Sequence, residues 1–239
     1  MKILLQNKVF TPKVNIKEAV RYLGYRKVMP DEEMLQGIES AARETEQAAV
    51  PRFVCARFSL TRSGDMLSVA DTSLQLQGKA IARHLKDSGE CLLMAATLGV
   101  DIDTLSRRYQ TVSPLRALLV DACANSLIED LCDRIQSAAE QETCGVSQKL
   151  TWRFSPGYGD LPLTVHSAFL PLLDTGRKMG LYETQQHLLT PQKSVTAIMG
   201  IVPRTEHTPP KGCDACAERE NCNYAQEGTD GDTQTAHSK

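Results

Sequence analysis

The stretch Ser113-Pro-Leu-Arg-Ala-Leu-Leu-Val-Asp-Ala-Cys-Ala-Asn125 contains the strongest local structural signal in the chain. Serine followed by proline is typical of a helix start, because the serine side chain caps the first turn and proline fits the first helical position. Apolar residues then recur every three or four positions as far as Ala138, so we predict a helix that reaches Glu140. Such a helix would be roughly 40 Å long. Its apolar stripe requires a partner layer in the fold.

Apolar patterns on both sides of this helix predict the strands of that layer. Residues 91–98 are almost continuously apolar, which is typical of a central strand covered on both faces. Residues 54–60 and 194–202 alternate between apolar and other side chains, as half-buried strands do. Further helices are predicted near residues 16–23, 31–47, 79–87, 101–112 and 164–173. Because strands and helices intermix without a regular βαβ order, we predict an α+β fold with a twisted, mainly antiparallel (mixed) central sheet and one long helix.

Composition divides the chain into three parts. Residues 1–50 are predicted to be a helical N-terminal segment, and residues 51–203 the main domain. Residues 204–239 contain a proline-rich linker, three clustered cysteines and a polar end with almost no apolar side chain. A stretch of that composition cannot bury enough apolar surface to fold, so this tail is predicted to be partly disordered.

Charge and hydropathy argue against several kinds of partner. The 239-residue chain has a formal net charge of −2, and 41% of its residues are hydrophobic. It has no basic stripe, so no nucleic-acid partner is expected. The longest apolar run, residues 91–100, is about half as long as a bilayer-spanning helix. The first residues lack the apolar core of a signal peptide, and we expect a cytoplasmic protein without a membrane partner.

A second informative stretch is Arg153-Phe-Ser-Pro-Gly-Tyr-Gly-Asp-Leu-Pro162, which follows a short β-prone run. Glycine lets the backbone approach a ligand closely or take positive φ, and proline stiffens the loop. Arg153 offers a planar set of donors that suits a carboxylate or phosphate. Tyr158 adds a flat apolar face with a hydroxyl group. On these residues alone, a rigid turn whose arginine pairs with a nearby acid is favoured over a ligand site.

The wider pattern changes that balance. Arg-x-x-Pro-Gly-Tyr, followed by a helix and later by Pro191-Gln-Lys-Ser-Val195, resembles the activation (reactivation) domain of cobalamin-dependent methionine synthase. The strand, glycine and long helix of residues 92–131 are similar to that family in order and spacing, and residues 16–25 resemble its short stand-alone members. The resemblance covers most of residues 12–203 and implies that residues 51–203 are an S-adenosylmethionine-binding activation domain.

The resemblance also implies roles for individual residues. Arg153 would pair with the carboxylate of S-adenosylmethionine, and Pro156, Gly157 and Tyr158 would line its nucleoside and sulfonium. Tyr158 is the candidate catalytic residue, and Ser194 is a weaker candidate contact from the neighbouring strand. The implied reaction is the reductive remethylation of inactive cob(II)alamin to methylcobalamin. Both reacting groups belong to cofactors, so the protein would contribute positioning and electrostatics.

The implied partners follow from that reaction. They are a cobalamin-bearing methionine synthase or another corrinoid protein, which holds the cobalamin, and a low-potential electron donor such as flavodoxin. The chain differs from the long methionine synthases in the Gly-Asp-Leu-Pro of residues 159–162, where they have Pro-Ala-Cys-Pro. Asn125 stands where their long helix has a glutamate near the methyl site, and their C-terminal tyrosine pair has no counterpart. These differences bear on the affinity for S-adenosylmethionine.

A cysteine cluster, Cys213-Asp-Ala-Cys216 followed by Cys222, predicts a metal site. Three thiolates at this spacing suit zinc or an iron–sulfur cluster, and a tail with reduced thiols is the alternative. A fourth ligand is open among Cys55, His207, Asp214 and an exogenous group. The other cysteines are assigned to packing or to no role: Cys55, Cys91, Cys123, Cys132 and Cys144.

Three functions are compatible with these features. The first is a stand-alone activation protein for a methionine synthase that lacks this domain. The second is a reductive activator or electron donor that serves another corrinoid protein through the cysteine cluster. The third is a non-catalytic module that docks on a corrinoid protein without using S-adenosylmethionine. The chain has no Walker, dinucleotide-binding or nucleophile-elbow motif and no cobalt-ligand motif, so the methyl acceptor would have to be held by another protein.

Overall fold

The strands form one seven-stranded sheet and one small ribbon. The computed structural model describes residues 2–6, 8–25, 29–63 and 66–205. Its strands are β1 (Lys2–Leu5), β2 (Arg52–Ser63), β3 (Met66–Val69), β4 (Gln75–Leu76), β5 (Glu90–Thr97), β6 (Gln148–Leu150), β7 (Tyr182–Glu183), β8 (Leu189–Thr190) and β9 (Ser194–Pro203). The large sheet has the order β4-β3-β2-β5-β9-β6, with β1 also paired to β2, and β7 and β8 form the ribbon. Every pair between these strands is antiparallel.

Strand β5 is the centre of the sheet. It pairs along its whole length with β2 on one edge and with β9 on the other. All of its residues except Glu90 are buried. The uninterrupted apolar run at residues 91–98 therefore corresponds to a central strand that is covered on both faces, as predicted.

The helices pack on both faces of this sheet. They are α1 (Ile16–Tyr22), α2 (Glu32–Ala48), α3 (Lys79–His84), α4 (Val100–Val112), α5 (Pro114–Thr143), α6 (His166–Leu173) and α7 (Thr175–Met179), with a 3₁₀ turn at Leu163–Val165. Helix α5 is the predicted long helix. Its N-cap is Ser113, whose side-chain oxygen accepts a hydrogen bond from the Arg116 backbone N–H. The helix continues slightly beyond the predicted end at Glu140.

Alternate residues of the central strands enter two apolar cores, one on each face of the sheet. On the first face, Phe58, Leu93 and Ile198 pack with residues of α6. On the second face, Leu92 and Met199 pack with residues of α5. A third cluster joins α1 and α2 to the outer side of α5. The order of layers is therefore α1 and α2, then α5, then the sheet, then α6.

The predicted fold class is confirmed: the chain is α+β, its sheet is antiparallel and one helix is much longer than the others. Strand β1 was not predicted, because its short apolar run becomes a strand only by pairing with β2. Helix α4 begins at Val100, one residue before its predicted start, and its N-cap, Gly99, makes no side-chain hydrogen bond. Among the described residues, every helix is too short or too polar to traverse a bilayer.

Candidate functional site

The predicted site loop leaves the sheet beside strand β9. Phe154 and Ile198 exchange both backbone hydrogen bonds, at 3.0 and 2.9 Å. In the same antiparallel register the next pair would be Pro156 with Thr196. Proline has no N–H to donate to a ladder. The pairing stops there, and the chain turns away from the sheet.

Backbone hydrogen bonds keep this loop in a closed turn. The Gly157 N–H donates to the Leu161 carbonyl at 2.8 Å, and the Tyr158 N–H donates to the Ser155 carbonyl at 3.0 Å. Gly157 has a φ of 89°, and a Cβ at this position would lie 3.0 Å from the Leu163 side chain. Both the backbone conformation and the available space therefore favour glycine.

Asp160 attaches the far end of the loop to helix α3. Its carboxylate accepts hydrogen bonds from the backbone N–H groups of Lys79 at 2.6 Å and Ala80 at 3.0 Å. The N-cap residue of α3 is Gly78, which has no side chain to provide this cap, so the cap comes from the loop. The hydrogen bond from Ala80, with the one from Lys79, holds the pKa of Asp160 below its ordinary value.

Arg153 extends toward α5. Its Nη1 donates to Asp133 at 2.7 Å and to Gln136 at 3.0 Å, and its Nη2 donates to Glu129 at 2.8 Å. The side chain is only 10% exposed. Burial by itself would lower the pKa of Arg153, but the surrounding acidic groups outweigh burial and raise it. Two of its five N–H donors, including the Nε–H, have no partner among the described residues.

A second cation, Lys193, contacts the same helix. Its Nζ lies 2.7 Å from Asp121 Oδ1 and 2.7 Å from Asn125 Oδ1, and its side chain is 14% exposed. The partners of Lys193 and Arg153 form one stripe on α5 at four-residue intervals: Asp121, Asn125, Glu129 and Asp133. Lys193 therefore places a positive charge between Asp121 and Asn125.

Tyr158 lies at the surface on an aromatic cluster. Its ring packs edge-on against Trp152 and Phe154, with ring centroids 5.6 and 5.3 Å away. The residue is 47% exposed. Among the described residues, no group bonds to its hydroxyl. Aromatic packing thus fixes the ring while solvent, or a docked molecule, can reach it.

An open groove of about 460 Å³ lies between the loop and the edge of β9. Pro156 and Ser194 line it, together with apolar side chains that include Leu163 and Leu188. Ser194 Oγ lies 2.8 Å from Thr97 Oγ1 and 2.7 Å from the Pro191 carbonyl. Its single proton is therefore used within the protein, and Ser194 can offer a ligand only lone pairs.

His166 lies under this groove. Its Nδ1 is 2.8 Å from the His187 carbonyl, which can only accept, so Nδ1 bears the proton. Its Nε2 then accepts a hydrogen bond from the Thr196 hydroxyl at 2.8 Å. Burial lowers the pKa of His166 and favours this neutral form.

The predicted site residues thus do not all lie in one pocket. Pro156 and Ser194 line one groove, Gly157 shapes the loop, Tyr158 lies on its outer side, and Arg153 contacts α5. The predicted metal ligands Cys213, Cys216 and Cys222 lie outside the described residues. Within the described part of the chain, no group of three or more His, Cys, Asp or Glu residues could hold a metal ion. Cys55, a candidate fourth ligand, is fully buried, and burial raises the pKa of its thiol to about 12.

Four further residues shape this region and had no predicted role: Asp160, His166, Lys193 and Thr196. Lys193 directly precedes Ser194 and Thr196 follows it by two positions, so the placement of Lys193 and Thr196 on opposite faces could have been derived from the alternation of an extended chain. The partners of Asp160 and His166 are distant in sequence, and no local pattern indicates them.

The fold and this site define a class of protein: an α+β domain in which a Pro-Gly-Tyr loop meets an open sheet edge beside a long helix. The solved structure of the MetH reactivation domain bound to AdoHcy is similar to this chain, with a TM-score of 0.60 over 83% of each chain and 15% sequence identity. At that identity the similarity establishes the fold alone, so this chain has the fold of the MetH reactivation domain. No protein-family model and no curated protein sequence matches the chain.

Proposed function

We propose that this chain is a stand-alone activation protein for a cobalamin-dependent methionine synthase. The observation that supports this most directly is the shared fold with the MetH reactivation domain bound to AdoHcy, over 83% of each chain. The Arg-x-x-Pro-Gly-Tyr loop lies beside a groove at the open edge of that fold. We propose that residues 51–203 bind S-adenosylmethionine there, and that the partner docks over the exposed Tyr158.

The proposed reaction joins a methyl group to cobalamin held by the partner, a methionine synthase or another corrinoid protein. A low-potential donor such as flavodoxin supplies the one electron that inactive cob(II)alamin requires. S-adenosylmethionine supplies the methyl group and leaves as S-adenosylhomocysteine when its carbon–sulfur bond breaks. This chain would bind and orient the methyl donor, which is a positioning role that needs no general base.

Arg153 is proposed to hold the carboxylate of the ligand. Three of its N–H donors bond to Asp133, Gln136 and Glu129, which fixes the guanidinium before a ligand arrives. The remaining donors, including the Nε–H, suit one further carboxylate. A charge-assisted hydrogen bond of this kind contributes about 1.5–3 kcal/mol.

Lys193 is proposed to influence which form of the ligand binds. S-adenosylmethionine has a positive sulfonium, whereas S-adenosylhomocysteine has a neutral thioether. Asn125 is neutral and Asp121 balances the charge of Lys193 beside it, so this site lacks the net negative charge with which a glutamate would attract the sulfonium. We therefore expect this chain to bind the product form more tightly, relative to the substrate form, than a domain with glutamate at that position does.

Calorimetric titration with S-adenosylmethionine and S-adenosylhomocysteine tests the binding site. If Arg153 holds the carboxylate of the ligand, Arg153→Ala is expected to weaken ligand binding by a few kcal/mol. A loss of that size is expected when a charge-assisted hydrogen bond is removed. Arg134→Ala is the matched control, because Arg134 also pairs with an α5 carboxylate, Asp130, but is 42% exposed. An Arg153→Ala variant with unchanged affinity would overturn the site assignment.

A spectroscopic experiment tests the function itself. The chain is mixed with a cob(II)alamin-bearing methionine synthase, a low-potential reductant and S-adenosylmethionine, and the visible spectrum is followed. The expected result is the appearance of methylcobalamin. If cob(II)alamin persists while the activation domain of a long methionine synthase succeeds under the same conditions, the activator proposal is wrong. The non-catalytic docking module then takes its place.

The cysteine cluster supports a second proposal, that Cys213, Cys216 and Cys222 bind zinc or an iron–sulfur cluster. Metal analysis of protein purified without oxygen is expected to give about one site per chain. A Cys213→Ser, Cys216→Ser double variant should lose the metal but keep the thermal transition of the main domain. Iron with an iron–sulfur spectrum would favour the electron-donor function, and zinc a structural role. Metal-free protein would contradict the proposal.

A further inference from the structure

Cys144 differs from the other cysteines that the structure describes. It is partly exposed, whereas the other four are buried: Cys55, Cys91, Cys123 and Cys132. Burial raises the pKa of the Cys55, Cys91 and Cys123 thiols to about 12, and it raises the pKa of Cys132 as well. The thiolate is the form of cysteine that binds metal. Of the described cysteines, only Cys144 can therefore reach a metal without the opening of an apolar core.

The sulfur of Cys144 has lone pairs to spare. Cys144 is the C-cap of α5, and its N–H donates to the Glu140 carbonyl at 2.9 Å. The only described hydrogen-bonding group near its Sγ is the Thr143 hydroxyl, 3.8 Å away. The Thr143 hydroxyl donates its own proton to the Ala139 carbonyl, so it does not use a lone pair of the sulfur.

Arg204 holds the start of the C-terminal tail beside this cysteine. Its backbone N–H donates to the Ser147 carbonyl at 2.8 Å, and its side chain donates to the carbonyls of Val146 at 3.2 Å and Gln148 at 3.0 Å. The chain at residue 204 is thus attached to the connection that directly follows Cys144. Cys213 follows Arg204 by nine positions, a length of chain that spans at most about 30 Å. The clustered cysteines of the tail are therefore within reach of Cys144.

The charges around Cys144 also suit a metal thiolate. Burial and, to a smaller extent, Glu140 raise the pKa of its thiol, whereas Arg57 and Arg204 act in the opposite direction. A divalent metal bound by four thiolates has a net negative charge, which neighbouring arginines stabilise. The two arginines therefore favour the metal-bound state over an empty site.

The tail cluster supplies three thiolates, and structural zinc sites and iron–sulfur clusters commonly have four protein ligands. Cys55, a candidate for the fourth position, lies within strand β2 and is fully buried. We propose that Cys144 is the fourth ligand, so that the metal joins the end of α5 to Cys213, Cys216 and Cys222. This inference rests on the proposed metal site, because it names the residue that completes it.

The position of Cys144 separates this metal from the methyl donor. Asn125 lies 19 residues earlier, on the same long helix. At 1.5 Å per residue the two are roughly 28 Å apart. The metal would therefore anchor the tail to the main domain at a distance from the Pro-Gly-Tyr loop.

Zinc competition between the full chain and a chelator tests the proposal. Cys144→Ser is expected to bind zinc at least about tenfold more weakly than the unsubstituted chain, since loss of even an outer-shell partner weakens metal binding by about 10–100-fold. Cys123→Ala is the control, because it removes a buried thiol on the opposite side of α5 from the sheet. If Cys144→Ser and Cys123→Ala bind zinc equally well, Cys144 is not a ligand, although the tail site stands. An unsubstituted chain that binds no zinc or iron overturns both the tail site and this inference, and neither result bears on methylcobalamin formation.

Cobalt(II) in place of zinc counts the thiolates directly. Its thiolate-to-metal charge-transfer absorption grows with the number of bound thiolates. This absorption is expected to fall by about a quarter in Cys144→Ser if four thiolates bind the metal. Unchanged absorption would mean that another group completes the site, and the inference would be wrong.

Cross-linking measures the proximity of the tail without a metal. A short bifunctional thiol reagent is added to the metal-free chain, and the linked peptides are identified by mass spectrometry. Links between Cys144 and Cys213, Cys216 or Cys222 are expected, and they should be absent from Cys144→Ser. Links confined to the three tail cysteines would contradict the placement of the site at the end of α5.

Discussion

The two sides of strand β9 differ in how their polar groups are satisfied. On the α5 side, Arg153 and Lys193 are partly buried cations, and each contacts side chains of the acidic stripe on α5. On the α6 side, His84 and His166 are buried without charge, and the backbone of Thr196 is open to a groove. The charges on the α5 side are largely neutralised within the protein. On the α6 side, the backbone N–H and C=O of Thr196 at the sheet edge remain without a partner among the described residues.

This difference separates structural from ligand-binding roles. A residue whose hydrogen bonds are all made within the protein contributes mainly to stability, whereas an unpaired buried group costs free energy until something binds it. Arg153 has both properties, because three of its donors bond to α5 and two do not. Substitutions on the α5 side should therefore alter stability as well as any ligand contact that they remove, whereas changes at the groove should alter mainly binding.

The largest expected effect is a loss of stability in acid, which originates on the α6 side. Burial lowers the pKa of His84 to about 4 from an ordinary value near 6.5. Since the unfolded chain binds the proton more tightly, the free energy of unfolding should fall as the pH drops from about 6.5 toward 4, by roughly 3 kcal/mol from this group. Burial also lowers the pKa of His166, so this residue too should reduce the free energy of unfolding as the pH falls.

Urea unfolding at pH 7 and pH 4.5 measures this effect. His84→Gln is expected to be less stable at pH 7 but to lose less stability on acidification than the unsubstituted chain. If both proteins lose the same free energy between the two pH values, His84 does not titrate as its burial predicts.

The next largest effect is expected from Arg153→Ala on the α5 side. The variant removes three charge-assisted hydrogen bonds and leaves Glu129 and Asp133 as unneutralised like charges on one helix face. Because both carboxylates are largely solvated, we expect a loss of about 1–3 kcal/mol in the free energy of unfolding, with the fold retained. Arg134→Ala should change stability by no more than about 0.5 kcal/mol, since that pair is exposed. Equal losses in the two variants would contradict a structural role for Arg153.

A smaller effect is expected from Lys193→Met. This substitution should change the preference between S-adenosylmethionine and S-adenosylhomocysteine. Removing the cation leaves the Asp121 carboxylate without its ion-pair partner, and this negative charge should raise the affinity for S-adenosylmethionine relative to S-adenosylhomocysteine by roughly fivefold, or about 1 kcal/mol. Lys193→Arg keeps the charge and should leave the ratio unchanged. The ratio is measured by calorimetric titration. An unchanged ratio in Lys193→Met would mean that the sulfonium does not lie near Asn125.

The smallest effect is expected from Asp160→Ala, which releases the loop from helix α3. The Lys79 and Ala80 amides should exchange faster, and ligand affinity should fall modestly because the loop is less well positioned. Asp160→Asn keeps one side-chain acceptor, so its amide exchange rates and its ligand affinity should lie between those of the unsubstituted chain and of Asp160→Ala. Since the pKa of Asp160 is lowered, its carboxylate stays charged at neutral pH and the cap weakens only in acid. Faster exchange with unchanged affinity would show that the cap serves α3 alone.

Sequence patterns were sufficient for much of the fold. Ser113-Pro114 marked the start of α5, and the apolar run at residues 91–98 marked the central strand. These signals are local, because a cap, a helical period and a continuous apolar run depend on neighbouring residues. Strand β1 was missed because four residues form a strand only when another strand supplies the hydrogen bonds.

For the candidate site, the residues of the loop were recognisable from the sequence, but their directions were not. Pro156 and Ser194 line the groove, whereas Arg153, only three residues before Pro156, contacts α5. Alternation along an extended chain places neighbours on opposite faces, and the register of Phe154 with Ile198 decides which face each residue takes. The division into residues 1–50, 51–203 and 204–239 and the metal site at Cys213, Cys216 and Cys222 stay predictions.

The sequence by itself determined the α+β class, the long helix, the central strand and the position of the Pro-Gly-Tyr loop, because local patterns encode each of them. Tertiary structure alone decided that the acidic stripe of α5 neutralises Arg153 and Lys193, that Asp160 caps α3, and that Thr196 is left open beside Pro156. The physical reason is that hydrogen bonds and ion pairs between distant residues depend on strand register and helix packing. Those are properties of the assembled sheet and not of any single segment.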